Sequence, residues 1–474
     1  PVSGSIGALA APFARGPVGL PQLIESEDDL FSTFGKPYNT DKQYESWMVA
    51  SSYLAYGGTM QVVRADDTGL KNASDNATPA LKIKSDDHYN QLGYDDNTIS
   101  STVIAAQNPG TWANGIRIGV CDAKADQELL AVVGVNTVGY AVTQTMVGKA
   151  LIGAGTTSQA DGYLKGIVTE VTSTTVGVKV LSHVTNAGVE SDVDYQPTGT
   201  YAFNNTGSIT ATPTGVAIGH ASGFATSYSS QRDWFEQQTV GLSTGLDPLE
   251  WDQLADRPST SAYAASRGGR FDEVHVVVID DKGTVTGNAG TILEKHLNLS
   301  KAKDGEYSAG SPSYWRKYLK TNSRYIYGGG APTLGADNQK DANQKSVGLT
   351  TSAYATSATN SLDGDSGWDQ DSKNVNFGVV GSATFELNGG LDYGGGTDIN
   401  VAGALDSGVD DIIGGLNIFS NTEQYEVDFI LQGSANFSKE QTQAIANKAV
   451  AIAEARKDAI AFLSPYRQAF ITDT

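Results

Sequence analysis

Three consecutive segments near the C-terminal end of the chain limit its fold more than any other feature: VDFILQG, KEQTQAIANKAVAIAEARKDA and IAFLSP. The outer two are apolar runs of strand length. The middle one sets Ile445, Ala449 and Ile452 on one side of a helix, the spacing of a buried face. Strand, helix and strand in this order predict a parallel pair joined by a right-handed crossover, because parallel strands need a long connection. The alanines of the helix favour close packing on a sheet. An α/β layer is therefore predicted here.

At the other end, PVSGSIGALAAPFARGPVGLPQLI scatters Pro and Gly among apolar residues and reads as an extended segment running between packed surfaces. Ser26 then precedes EDDLFSTF, with Asp29 as an imperfect capping-box partner and Gly35 and Pro37 as the stop. A second helix, from about Asp41 to Tyr56, puts Tyr44, Trp47, Tyr53 and Leu54 near one face and ends at Gly57–Gly58. The run TMQVVRA alternates and is β-branched, which predicts a strand. The expected order is helix, helix, strand.

Residues 66 to about 118 are polar and turn-rich until NPGTWANGIRIGV, where a turn leads into alternation through Ile116, Ile118 and Val120. Thr, Val and Gly dominate from about 119 to 213, which predicts an all-β block of short strands, a barrel or a sandwich. EVHVVVID follows as a run fit for a buried strand. Residues 328–374 are small, polar and poor in apolar residues, the texture of an exposed insertion. The predicted class is thus α+β and multi-domain. A discontinuous α/β unit comprises 1–118 with 214–327, an inserted β-rich unit 119–213, a polar insertion 328–374 and an incomplete α/β unit 375–474.

Charge excludes one class of partner. Lys and Arg total 32 against 53 Asp and Glu, a formal net charge of −21, which repels a phosphate backbone. No direct nucleic-acid contact is expected. No apolar run approaches the roughly 20 residues of a membrane helix, so no membrane insertion is expected either. The lone Cys121 cannot form an intramolecular disulfide and reads as a small apolar strand residue. The chain starts at Pro1, with methionine only at 48, 60 and 146, and the expectation is that both ends are trimmed.

A search for chemistry returns structural readings. Gly241-Leu-Ser243-Thr-Gly245 matches a nucleophile elbow in letters, but Pro248 follows where a helix must leave the serine, so it reads as a loop. Asp363, Asp365, Asp369 and Asp371 could offer calcium oxygens, yet the spacing is not that of an EF-hand loop and the twelfth position is Asn374. Asp280–Asp281 follows a strand, as carboxylates of α/β enzymes do, but DDKG is more simply a turn. His88, His183, His220, His275 and His296 share no ligand spacing, and His275 reads as a satisfied core or interface residue. The glycines at 394–396 lack the lysine of a phosphate loop and read as a turn. Arg456–Lys457 complements a helix C-terminus, with an interface role also open. Catalytic, metal-binding and cofactor-binding residues are expected to be none.

Five separated segments, in order, then resemble one family. They are IGALAAPFARGPVGLPQLIESEDDLFSTFGKP, YGGTMQVVRA, NPGTWANGIRIGV, FDEVHVVVIDDKGTVTGNAGTILEKHLNLSKAKDG and IAEARKDAIAFLSP. They resemble the contractile tail sheath proteins of T-even-like myoviruses, particularly those infecting marine cyanobacteria. The Thr-rich block and the 328–374 insertion carry the likeness least. The resemblance implies a homo-oligomer of hexameric rings stacked helically on a tail tube, bound also by baseplate and tail terminator proteins. It implies a virion component assembled in the host cytoplasm, whose contraction drives the tube through the host envelope. Terminal arms that add strands to a neighbour's sheet are implied as well. The chain itself is expected to be monomeric in dilute solution. Two other readings stay open at this stage: another phage or secretion-system structural component, such as a β-rich baseplate or adhesion protein, and a polysaccharide-cleaving enzyme with paired carboxylates.

Overall fold

The computed structural model describes residues 5–77, 80–96, 99, 102–122, 127–131, 150–153, 163–171, 175–193, 201, 209–211, 224–225, 235, 238–243, 245–269, 271–330, 371–373, 377 and 382–471. From the N-terminus, strands Ile6–Ala11 (β1) and Gln22–Ile24 (β2) precede helices Glu27–Phe34 (α1) and Gln43–Ala55 (α2) and strand Thr59–Arg64 (β3). Ile116–Asp122 (β4), Glu273–Asp280 (β5), Thr291–Ser300 (β6), helix Trp315–Asn322 (α3) and Ser382–Glu386 (β7) follow. The chain closes with helix Val409–Ile418 (α4), Phe429–Leu431 (β8), helix Lys439–Arg456 (α5) and Ile460–Phe462 (β9). Mixed helices and several small sheets make an α+β protein of more than one unit.

The first and last parts of the chain build one five-stranded sheet in the order β2-β3-β1-β8-β9. Strand β1 pairs in parallel with both β3 and β8, and β8 in parallel with β9. The C-terminal strand, helix and strand thus form the parallel pair that their spacing predicts. On one face α1 and α2 bury Leu30, Phe34, Trp47, Ala50 and Leu54 against Leu9, Ala11, Met60 and Val62. On the other, α4 and α5 bury Ile412, Leu416, Ile445, Ala449 and Ile452 against Ala8, Ala10, Val63 and Ile430.

The N-terminal segment is extended, as expected, but it is no mere filler between surfaces. Residues 6–11 are the central strand of the sheet, and two strands precede the first helix. After Ile6, IGALAA holds none of the β-branched residues that mark a strand. Its small side chains have a packing reason: a Cβ added at Gly415 in α4 would lie 2.9 Å from Ala10 Cβ, so the helix rests almost directly on the strand.

Helix ends follow local sequence. The Ser26 hydroxyl accepts from the Asp29 amide at 3.1 Å, and Gly35 takes φ 85° to end α1. Ser438 and Gln441 cap the start of α5 reciprocally, and Lys457 ends it in a left-handed conformation.

A second, antiparallel sheet has the order β6-β5-β4-β7. The central β5 is buried at all positions but its first, as EVHVVVID predicts. Helix α3 lays Trp315 and Leu319 on one face of it, while Trp251, Phe235 and Val240 cover the other. Strand pairing partitions the chain differently from the boundaries expected from composition. Residues 6–64 share a sheet with 429–462, whereas 116–122 and 273–300 share another with 382–386. Composition cannot see which strands, hundreds of residues apart, exchange hydrogen bonds.

Between β4 and β5 lies a seven-stranded sheet ordered Ile209–Ala211, Ala150–Gly153, Tyr163–Val171, Thr175–Val184, Gln127–Ala131 and Phe224–Ala225, with Glu190–Asp192 added on Thr175–Val184. The expected polar insertion falls almost wholly on 331–370, outside the described residues. Among the described residues no helix is long and apolar enough to cross a membrane.

Candidate functional site

The surface that stands out is the β8–β9 end of the parallel sheet. Helix α5 covers its inner face, but α1 and α2 reach only as far as β8 on the opposite face. Tyr53 of α2 meets Phe429 edge-on at 6.2 Å, and Phe429 meets Phe462 edge-on at 5.3 Å. Beyond that aromatic chain nothing in the described residues lies over β9. Ile460 is 60% exposed, Phe462 52% and Leu463 43%, while Tyr56 of the segment after α2 is 94% exposed. A shallow groove of about 440 Å³ runs between α2 and the sheet, lined by Met48, Val49, Ser52, Tyr53, Tyr56 and Leu431.

The backbone at this edge is also open. The Ile460 amide donates to Asp428 O at 2.9 Å and the Gln432 amide to Phe462 O at 3.2 Å. Residues 460 and 462 thus turn their polar groups toward β8. Successive strand residues alternate, so the N–H and C=O of Ala461 point the other way. Among the described residues β9 has a strand neighbour on one side only.

The strand ends beside this edge are held by polar side chains. Ser434 Oγ donates to Glu45 Oε2 at 2.7 Å, Arg467 pairs with the other oxygen of Glu45, and the Ser464 amide donates to Gln432 Oε1 at 2.9 Å. Buried Gln432 keeps Nε2 without a partner among the described residues.

The residues singled out by sequence are dispersed. Ser243 sits in the loop between strands Thr239–Val240 and Leu249–Glu250, with no helix leaving it. Its hydroxyl donates to Asp281 Oδ2 at 2.5 Å and its amide to Oδ1 at 2.8 Å. Arg117 Nε donates to the same carboxylate at 2.7 Å. Burial pushes the Asp281 carboxyl up, but the bonds from Ser243 and Arg117 outweigh it and hold the group below the usual range. Asp280 caps the following turn, accepting from the amides of Val285 and Thr286. DDKG is a turn, as read, but its two carboxylates are buried anchors rather than loop decoration.

His275 is buried in β5; its Nδ1 accepts from the Asn298 amide at 3.0 Å and its Nε2 meets Asp256 O at 2.7 Å, a neutral, satisfied core residue. Burial lowers its pKa. His296 Nε2 lies 2.9 Å from Glu294, His88 Nδ1 accepts from Lys84, and His183 neighbours Tyr201. His220, Asp363, Asp365 and Asp369 lie outside the described residues, and Asp371 is exposed. Gly394 and Gly395 form a turn with φ 63° and 79°. Arg456 does more than complement its own helix: Nη1 donates at 2.7 Å to Phe419 O, closing the end of α4. Cys121 is buried in β4, opposite His275. Among the described residues no group of three or more His, Cys, Asp or Glu is arranged to hold a metal.

Sequence reasoning missed the polar groups that join the two sheets. Asp392 accepts from the Thr111 amide at 2.9 Å and from its hydroxyl at 2.6 Å. Burial raises the Asp392 pKa, with the Thr111 bonds pulling the other way. Arg64 is wholly buried, yet in TMQVVRA it reads only as a strand terminus. No motif marks either residue.

The fold therefore defines an α+β protein with two joined sheet units, one of which ends in an open, apolar strand edge. The chain is similar to a tail sheath protein of Salmonella phage ViI, 24% identical over 335 residues, which cover 68% of this chain and 45% of the relative. It spans less than half the length of that curated relative. No protein-family model matches. Among solved structures, a sheath tail protein from Listeria innocua aligns at 15% identity over 42% of this chain and 32% of its own, with a TM-score of 0.17. A sheath tail protein from Desulfitobacterium hafniense aligns at 14% identity over 49% of this chain and 39% of its own, with a TM-score of 0.15.

Proposed function

We propose that the chain is the body of a phage tail sheath subunit, with a structural and not a catalytic role. The sequence relation to a tail sheath protein across 68% of the chain carries this reading. In full it is a subunit of a T-even-like, cyanophage-type contractile tail. Copies form hexameric rings stacked on a tail tube, bounded by baseplate and terminator proteins, assembled in the host cytoplasm and carried in the virion.

Contraction needs two packings of one subunit that differ in interface free energy, with the bodies moving largely as rigid units. It needs no nucleotide site. The β9 edge suits the strand addition that ties neighbours together: its outward backbone groups supply hydrogen bonds, and Phe462 and the adjoining groove supply apolar contact. In domain terms, we propose that the parallel-sheet unit faces its neighbours, while the β-rich unit of 119–213 and the insertion of 328–374 face outward as additions to the body.

Electron microscopy of the intact particle, with this body fitted into extended and contracted tails, tests the proposal. Stacked hexameric rings are expected. Compact trimers at a baseplate or fibre position would replace the sheath reading with that of an adhesion or baseplate component, and protease cleavage of intact sheath within the inner core before 119–213 would refute the outward placement.

A further inference from the structure

We propose that Arg64 locks the two sheet units into one rigid body, so that they cannot hinge against each other. Arg64 is the last residue of β3 and is fully buried. Its Nε donates to Phe13 O at 2.8 Å, its Nη2 to Ala14 O at 3.3 Å, and its Nη1 to both Gly16 O at 3.0 Å and Pro109 O at 2.8 Å. Three of these carbonyls follow β1 in the parallel-sheet unit. The fourth belongs to the segment that leads into β4 of the antiparallel unit.

The guanidinium also stands 5.8 Å from the Tyr393 ring centroid. Tyr393 in turn donates to Ala65 O at 3.0 Å and accepts from the Phe13 amide at 3.3 Å. Beside it, Asp392 receives the two bonds from Thr111 across the same junction. A planar fork of donors satisfies several carbonyls at fixed angles, which an ammonium on a flexible stem does not. A partial separation that admits no water would break the Pro109 bond and leave its carbonyl and a guanidinium N–H buried and unpaired, so intermediate openings are costly. Opening is therefore all or none.

Backbone bonds follow the same seam. The Gly110 amide donates to Lys71 O and the Val18 amide to Lys84 O, each at 2.9 Å. These amides report on junction opening without any substitution. The inference concerns the isolated chain and stands independently of the sheath reading.

Native-state hydrogen exchange on the 474-residue chain is the first test. The amides of Val18 and Gly110 are expected to exchange with the same protection as Leu9 and Val62 in the sheet core, by global opening alone. Exchange at the seam 100-fold or more faster than in the core would overturn the proposal. The second test places spin labels at exposed Lys317 and Glu440, one on each unit, by cysteine substitution. A narrow distance distribution is expected for the parent chain, and a broadened one for R64K, with separate melting of the two units. A folded R64K chain with a distribution as narrow as the parent would also overturn it; if R64K fails to fold, the exchange result decides.

Discussion

The Ile6 amide donates to Asp428 Oδ2 at 2.7 Å, and the Asp428 amide donates back to Ile6 O at 2.8 Å, so two residues 422 positions apart fix the start of β1 against the start of β8. This reciprocal contact sets the register in which Gly7 faces Phe429. It is also where the two ends of the chain become one sheet. Asp428→Ala is expected to cost about 1–2 kcal/mol by removing an acceptor from a strand-start amide. Urea unfolding should give a lower midpoint with an unchanged slope.

Ala461 separates assembly from folding. Its N–H points away from β8, so Ala461→Pro removes no bond within the sheet, and proline is tolerated on such an edge. Stability should stay within about 0.5 kcal/mol of the parent. Strand addition at β9 should be blocked, read as loss of pelletable tubes in full-length protein. Normal tube formation by this variant would rule out β9 as the accepting edge.

His275 makes stability depend on pH in a known direction. Its folded-state pKa lies below the unfolded value of about 6.5, because burial disfavours the imidazolium. Its contribution is complete above that value. As pH falls below about 6.5 the unfolded chain takes up a proton that the folded chain refuses, and stability declines by up to about 1.4 kcal/mol per pH unit until the folded pKa is reached. His88, also lowered by burial, adds to the same window. Denaturation at several pH values between 5 and 7 should show a shallower slope for His275→Gln than for the parent.

Ser243 and Asp281 are expected to behave as a structural pair. Ser243→Ala should cost about 1 kcal/mol, the worth of one hydrogen bond. Asp281→Ala should cost more, about 3 kcal/mol, because it leaves the mostly buried Arg117 without its closest carboxylate. The depressed Asp281 pKa adds stability that is present above the unfolded carboxylate value near 4 and is lost as pH falls through the folded value. Parent and Ser243→Ala proteins should be equally inert to a fluorophosphonate probe; labelling of the parent at Ser243 would contradict a structural role.

What the sequence determined by itself was local. Ile445, Ala449 and Ile452 had to share a buried helix face, Ser26 and Gly35 had to bound α1, and EVHVVVID had to be an interior strand, because these follow from periodicity and capping within a few residues. Only the tertiary structure decided the rest. The small residues of IGALAA became a central strand because helices press on both its faces and one of its two strand partners lies beyond position 428. Arg64 became a junction because carbonyls from two separate segments converge on it. Phe462 differs from a core phenylalanine in that no helix of the described residues lies over it. Coverage of that kind is a property of how layers extend in space, and the sequence around Phe462 holds no term for it.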